Sequence, residues 1–234
     1  MLMANKVRFL GHASFEVVTG GGKKILIDPW ITGNPACPVK KEELKAPDLV
    51  LVTHDHFDHV GEDAPFLVEG SDAVIFGQPE VVRMLKENGV AEKNFIFGMG
   101  MNIGGTIEAA GVKVTMVQAF HSAGVGSPCG FIITTEDDRK IYYAGDTGVF
   151  GDMKLLGEIY PLDLAILPIG SVFVMDPLQA ACALELLKPV KAVPMHYKTF
   201  PILVQDAGEF VKLAGRKAPG VEVQVLEPGQ ETEF

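Results

Sequence analysis

Cysteine is scarce in this chain: Cys37, Cys129 and Cys182 lie far apart and in no CxxC pair. That excludes a disulfide framework and a thiolate zinc site, and it fits reduced thiols in a cytoplasmic protein. Runs of about 18 apolar residues are missing, so no membrane span is expected. The opening "MLMANKVRFLG" holds no apolar stretch of signal-peptide length. Positive charge is short as well, with 20 Lys and Arg against 30 Asp and Glu, a formal net charge of −10. Non-specific nucleic-acid binding needs clustered cations against phosphates and is disfavoured. A small anionic substrate held by metal ions is still allowed. None of Ser14, Ser122 or Ser171 lies in G-x-S-x-G, which argues against a serine hydrolase. No GK[ST] follows the "GGG" run at 20–22, so those glycines read as a hairpin turn and not a phosphate loop. Repeats, linkers and low-complexity segments are absent.

What is present is core. Hydrophobic residues make up 47% of the 234. One domain spanning residues 1–234 is expected. Strands are predicted at 6–10, 14–19, 24–28, 73–77, 130–135 and 140–146, with two more in 104–121 joined at Ala110-Gly111. The apolar runs "PDLVLVTH" (47–54) and "DLAILPIG" (163–170) read as strands buried on both faces. "KAVPMHY" (191–197) is a strand whose Pro194 restricts its pairing. A last strand is expected at 221–227. Helices are predicted at 78–90, 176–189 and 205–217. Pro79 suits a first helical position and Gly89 a C-terminal cap. Asp176 suits an N-cap, with Gln179 at capping-box spacing. The element order allows two similar halves meeting near residues 95–105.

The chain has six histidines, and three of them fall in "VTHDHFDHVG" (52–61). His54, Asp55, His56, Asp58 and His59 put five titratable groups into six residues. Packed together they would repel one another or resist desolvation without a cation. The plain alternative is a solvated polar loop. The other histidines, and Asp146, each stand at or just beyond an apolar run: His12 after "KVRFLG", His121 after "KVTMVQAF", Asp146 after "KIYYAG", His196 after "KAVPM". Strand ends can converge on one rim of a sheet. Imidazole and carboxylate are the usual ligands of zinc and related ions in hydrolytic sites. Taken alone, His121 or His196 is more readily a packed residue than a ligand.

"THDHFDH" resembles the H-x-H-x-D-H signature of the metallo-β-lactamase superfamily. The companion signatures follow in order: Asp28 in "LIDP", His121 in "AFHS", Asp146 in "AGDTG" and His196 in "PMHY". "LGHASF", "GMNIGG" and "LPIG" further resemble a bacterial and archaeal branch of small metal-dependent hydrolases. That branch is similar to the ascorbate-phosphate lactonases and, more distantly, to the N-acyl phosphatidylethanolamine phospholipases D.

The resemblance implies an α/β (α+β) fold, a four-layer αββα sandwich with its metal site at one rim of the two sheets. It implies two divalent ions. His54, His56 and His121 would bind the first, Asp58, His59 and His196 the second, and Asp146 would bridge them. Asp28 would hold the His-rich loop by hydrogen bonds without binding metal; its plain alternative is a turn Asp before Pro29. Zinc is the first choice of ion, with manganese, nickel or iron compatible. The oxygen-reducing di-iron relatives carry Glu where this chain has His56, which argues for hydrolysis.

The implied chemistry is attack by a metal-bridging hydroxide on a small ester, lactone or phosphoester. Asp58, tied up as a ligand and so a poor free base, and His12 are the candidate catalytic residues. His12 either faces substrate or orients the loop by a hydrogen bond. Trp30 and Phe173 are expected as apolar walls, although Trp30 is equally a core residue. Lys198 could meet a substrate anion, although a solvated lysine is the simpler reading. The alternatives are a phosphodiesterase or nuclease of the same fold, which predicts a basic groove, and a non-catalytic metal-binding module, which predicts a damaged ligand set. A small-molecule substrate is the expected partner. Oligomeric state is not legible.

Overall fold

The computed structural model describes residues 3–234. Met1 and Leu2, the start of the N-terminal stretch read for a signal peptide, lie outside the described residues. The strands in chain order are β1 (Lys6–Gly11), β2 (Ser14–Val18), β3 (Lys24–Ile27), β4 (Leu49–Leu51), β5 (Val74–Phe76), β6 (Thr106–Ala109) and β7 (Val112–Gln118). They continue with β8 (Cys129–Thr134), β9 (Lys140–Tyr143), β10 (Leu164–Pro168), β11 (Lys191–Met195), β12 (Glu222–Val223) and β13 (Glu231–Glu233). The first sheet runs β13-β1-β2-β3-β4-β5 and the second β12-β11-β10-β9-β8-β7-β6. The two halves therefore divide between residues 77 and 105, and only β13 crosses back.

Period-two alternation explains the layers. Ile25 and Ile27 of β3, and Leu49 and Leu51 of β4, face the second sheet. There they meet Ile141, Tyr143, Leu164, Ile166, Val193 and Met195. The intervening Leu26, Val50 and Val52 face outward, against Leu67, Val81, Val82 and Leu85. Those residues belong to α2 (Ala64–Val68) and α3 (Pro79–Glu87), which follow the four-residue α1 (Phe57–Val60). On the other side, Tyr142, Ala165, Leu167 and Ala192 pack against α4 (Met153–Ile159), α5 (Pro177–Leu187) and α6 (Gly208–Lys217). Three apolar interlayers make four layers, the expected αββα sandwich. Each fully buried Leu, Ile or Phe contributes about 1.5–3 kcal/mol.

Local signals hold where they carry a mechanism. The α5 cap forms, with Gln179 N–H donating to Asp176 Oδ1 at 2.7 Å. Gly89 ends α3 at φ 98°. Pro194 sits inside the second sheet, yet costs no ladder bond. Lys191 N–H points to β10, so residue 194 faces the β12 side, and β12 ends at Val223, opposite Ala192.

One expectation falls short, and some elements carry no signal in the sequence. The strand at 221–227 keeps only Glu222–Val223, because Leu226 turns into the layer between the sheets. Helices α1, α2 and α4 are too short for a helical period to stand out. Polar β13, "ETE", has no strand pattern and exists because β1 offers it an edge. No helix among the described residues is long and apolar enough to cross a membrane.

Candidate metal centre

Strand direction sets the site. β3 and β4 run parallel, and β1 is antiparallel to β2, which is antiparallel to β3. The C-terminal ends of β1, β3 and β4 therefore share one edge, where His12, Asp28 and the loop from His54 to His59 begin. In the second sheet β9, β10 and β11 are parallel, and β7 points the same way through antiparallel β8. Their C-terminal ends carry His121, Asp146 and His196. The two edges meet at one rim.

Asp146 lies at the centre. Its Oδ1 is 3.1 Å from His59 Nε2, and its Oδ2 is 3.1 Å from His196 Nε2 and 3.5 Å from His121 Nε2. His54 Nε2 stands 3.0 Å from His56 Nδ1. Donor atoms of His54, His56 and His121 gather in one group. Those of His12, Asp58, His59 and His196 form another, and His54, His59 and Asp146 a third that joins them. His59 Nε2, Asp146 Oδ1 and His196 Nδ1 are buried without a hydrogen-bond partner. Buried polar atoms are rarely left so. Two of these orphans, His59 Nε2 and Asp146 Oδ1, face each other across 3.1 Å, a gap suited to a cation between nitrogen and oxygen donors. The residues fit a divalent metal.

Hydrogen bonds behind the rings aim them. Asp28 is fully buried. Its Oδ1 accepts from Thr53 N–H at 2.8 Å. Its Oδ2 accepts from the Thr53 hydroxyl at 2.7 Å and from His59 Nδ1–H at 2.7 Å, and lies 2.9 Å from the Tyr143 hydroxyl, whose one proton also faces Ala13 O at 2.6 Å. The Thr53 proton is thereby used, so Thr53 Oγ1 accepts from His54 Nδ1–H at 2.9 Å and leaves Nε2 bare toward the centre. Thr53 and Tyr143 carried no signal in the sequence beyond adjacency to His54 and to the Asp146 segment.

His12 is 1% exposed. Its Nε2 is 3.0 Å from Asp58 Oδ2 and its Nδ1 3.0 Å from Thr199 Oγ1. The ring bonds Asp58 and is absent from the lining of the metal cavity, but it lines the neighbouring one. Its backbone carbonyl also accepts from His196 N–H at 2.8 Å. His12, Asp28 and His196 all have positive φ, 57°, 45° and 58°. Such conformations are uncommon outside glycine and cluster at functional sites.

Burial and charge divide the histidines. Burial holds His54 down to about 2 and His12 down to about 4, against the Asp58 hydrogen bond in the latter case, so both rings are neutral. Burial likewise lowers His121. Burial also opposes charge on His59, but Asp146 and Asp28 outweigh it and raise the pKa. For Asp146, burial is overcome by His196 and His59, which hold the carboxyl well below its usual range.

The centre opens into a cavity of about 380 Å³ lined by His56, Phe57, Asp58, His121, Ser122, Asp146, Phe173 and His196. Phe173 forms a wall as expected. Trp30 is 5% exposed and lies behind the cavity, with its ring 5.6 Å from Phe57 and 5.4 Å from His12. Lys198 is turned away, 3.2 Å from Glu227 Oε2, and lines a separate cavity of about 300 Å³ beyond His12.

The sequence profile described as Beta-lactamase superfamily domain matches residues 23–197, which include Asp28 and every candidate ligand. The chain belongs to the beta-lactamase superfamily. Within this superfamily it is similar to a UPF0173 metal-dependent hydrolase of Thermococcus onnurineus, 51% identical over 96% of this chain and 97% of the relative. A second UPF0173 metal-dependent hydrolase, from Nitratidesulfovibrio vulgaris, is 43% identical over 97% and 95%. The superfamily fold is shared with a solved structure, Igni18, described as a novel metallo hydrolase from the archaeon Ignicoccus hospitalis. That match has a TM-score of 0.88 and 37% identity, and covers 99% of each chain. The chain is accordingly a metal-dependent hydrolase of the beta-lactamase superfamily.

Proposed function

We propose that this hydrolase is dinuclear and acts on a small ester, lactone or phosphoester. His54, His56 and His121 would hold one cation, Asp58, His59 and His196 the other, with Asp146 between them. The observation that carries this reading is the pair of unpartnered buried atoms, His59 Nε2 and Asp146 Oδ1, among the seven proposed ligands. Zinc suits the nitrogen-rich set best, and manganese, nickel and iron are compatible. When bound, the cations would lower the pKa of a water toward neutrality and supply hydroxide.

The chain's own residues do the rest. Asp28 and Thr53 fix the rings of His59 and His54 so that Nε2 of each points inward. His12 steadies Asp58 by a hydrogen bond. Phe57 and Phe173 flank the reacting group at the mouth. None of the cavity-lining residues is Lys or Arg, which counts against a phosphodiesterase or nuclease. All seven donors are present, which counts against a non-catalytic module. The reading places all 234 residues in one hydrolase domain of the cytoplasm.

The test is metal content per chain together with turnover on esters, lactones and bis(p-nitrophenyl) phosphate. Close to two ions per chain are expected. His121→Ala should lower metal retention and activity together, and retention of both would remove His121 from the site.

A further inference from the structure

An exposed phenylalanine is costly to hydration, and a strained one is costlier still. Phe173 is 57% exposed and Phe57 67%, and both line the same cavity as Asp58, Asp146 and His196. The loop that carries Phe173 is held against its own preference. Ser171 and Val172 stand in succession at φ 62° and 57°. For a β-branched residue such as Val172 that is a true outlier. The loop is also tightly bonded. Ser171 N–H donates to Met175 O at 3.0 Å, and Phe173 N–H to Ser171 O at 2.6 Å. Strain and bonding together hold an aromatic ring out of the core and at the mouth of the site.

The charge at that mouth is equally informative. No Lys or Arg lines the cavity, and Lys198 is paired with Glu227 in the neighbouring one. A net charge of −10 repels anions at a distance. Beyond the histidines and carboxylates that would hold the cations, a substrate's outer part meets only Ser122, Phe57 and Phe173, with no Lys or Arg to pair a second anionic group.

We infer that the substrate is an uncharged carboxylic ester or lactone bearing an apolar arm, which lies between Phe57 and Phe173 while the carbonyl faces Asp146. This rests on the hydrolase reading above and narrows it by setting phosphoesters aside. The reaction balances simply: water adds to the carbonyl carbon and the acyl carbon–oxygen bond breaks, so that an ester leaves as acid and alcohol and a lactone opens to one hydroxy acid.

Two measurements test it on the metal-loaded protein. The first compares kcat/KM for p-nitrophenyl butanoate, p-nitrophenyl octanoate and bis(p-nitrophenyl) phosphate, below micellar concentrations. The octanoate should exceed the butanoate by about tenfold, from partial burial of four further methylenes. Phe173→Ala should cut that ratio severalfold, whereas Phe97→Ala, an exposed ring outside the cavity lining, should leave it unchanged. The second needs no turnover. Trp30 is the only Trp and lies 5.6 Å from Phe57, so octanamide should shift its emission saturably and acetamide should not. A chain-length ratio near one, or preference for the phosphodiester, overturns the inference while leaving the hydrolase standing. Absence of all three activities in metal-loaded protein would overturn the hydrolase reading, and the octanamide titration then decides the apolar arm: no shift ends it.

Discussion

Asp28 accepts hydrogen bonds from Thr53 N–H, the Thr53 hydroxyl and His59, and shares the single Tyr143 hydroxyl proton with the Ala13 carbonyl. An amide in its place must turn a donor against one of them. Asp28→Asn should therefore weaken metal affinity by about 10–100-fold, the usual loss when a residue behind a ligand is changed. Metal titration by competition with a chromophoric chelator measures it, and an unchanged affinity would exclude the aiming role. His59 supplies a pH prediction. Its folded pKa is raised by the nearby Asp146 and Asp28 carboxylates, so a charged His59 stabilises the metal-free fold at low pH, and that contribution is lost as pH rises through the folded value. Metal needs the bare nitrogen, so affinity should climb with pH over that window and binding should expel about one proton. Calorimetry in buffers of different ionisation enthalpy counts the protons released; none released would contradict the charge state assigned to His59.

At the scale of elements, ligand position depends on how closely strand ends pack. Gly170 lies just past β10, and a Cβ there would collide with the His196 carbonyl and stand 3.1 Å from its Nδ1. Gly170→Ala should push the ends of β10 and β11 apart, lower stability by about 1–3 kcal/mol and loosen metal together with it. Gly148, with nothing near its Cβ position and no positive φ, is the matched control and should tolerate Ala. Thermal unfolding and metal content of the two variants separate packing from a general intolerance of alanine; equal behaviour would refute the close-packing account.

At the scale of the molecule, the donors come from both sheets. His54, His56, Asp58 and His59 follow the first, and His121, Asp146 and His196 the second. Cations at the rim would clamp the sandwich, in addition to the apolar layer between the sheets. Removing metal by chelation should lower Tm, and returning it should restore Tm. Saturation at about 1,000 times Kd is worth about 4 kcal/mol, and each kcal/mol moves a chain of this size by roughly 2–4 °C. Loss of metal with no change in Tm would show that the clamp contributes nothing.

On its own the sequence placed most strands and the donors at their ends, and through its resemblance to the superfamily it implied the layered fold and the set of ligands. Continuous apolar runs marked the central strands, and each polar donor stands at or just past the end of such a run, so both patterns survive in one dimension. It could not show which edge β13 would join, where β12 would stop or which way Lys198 would turn, because each depends on what another part of the chain offers nearby. The roles of Thr53, Tyr143 and Thr199 behind the rings, the burial of His12 against Asp58 and the strained display of Phe173 were decided only by the tertiary structure. A hydroxyl or a ring acquires such a role from the few ångströms between it and a partner up to 187 residues away, and no local pattern encodes that distance.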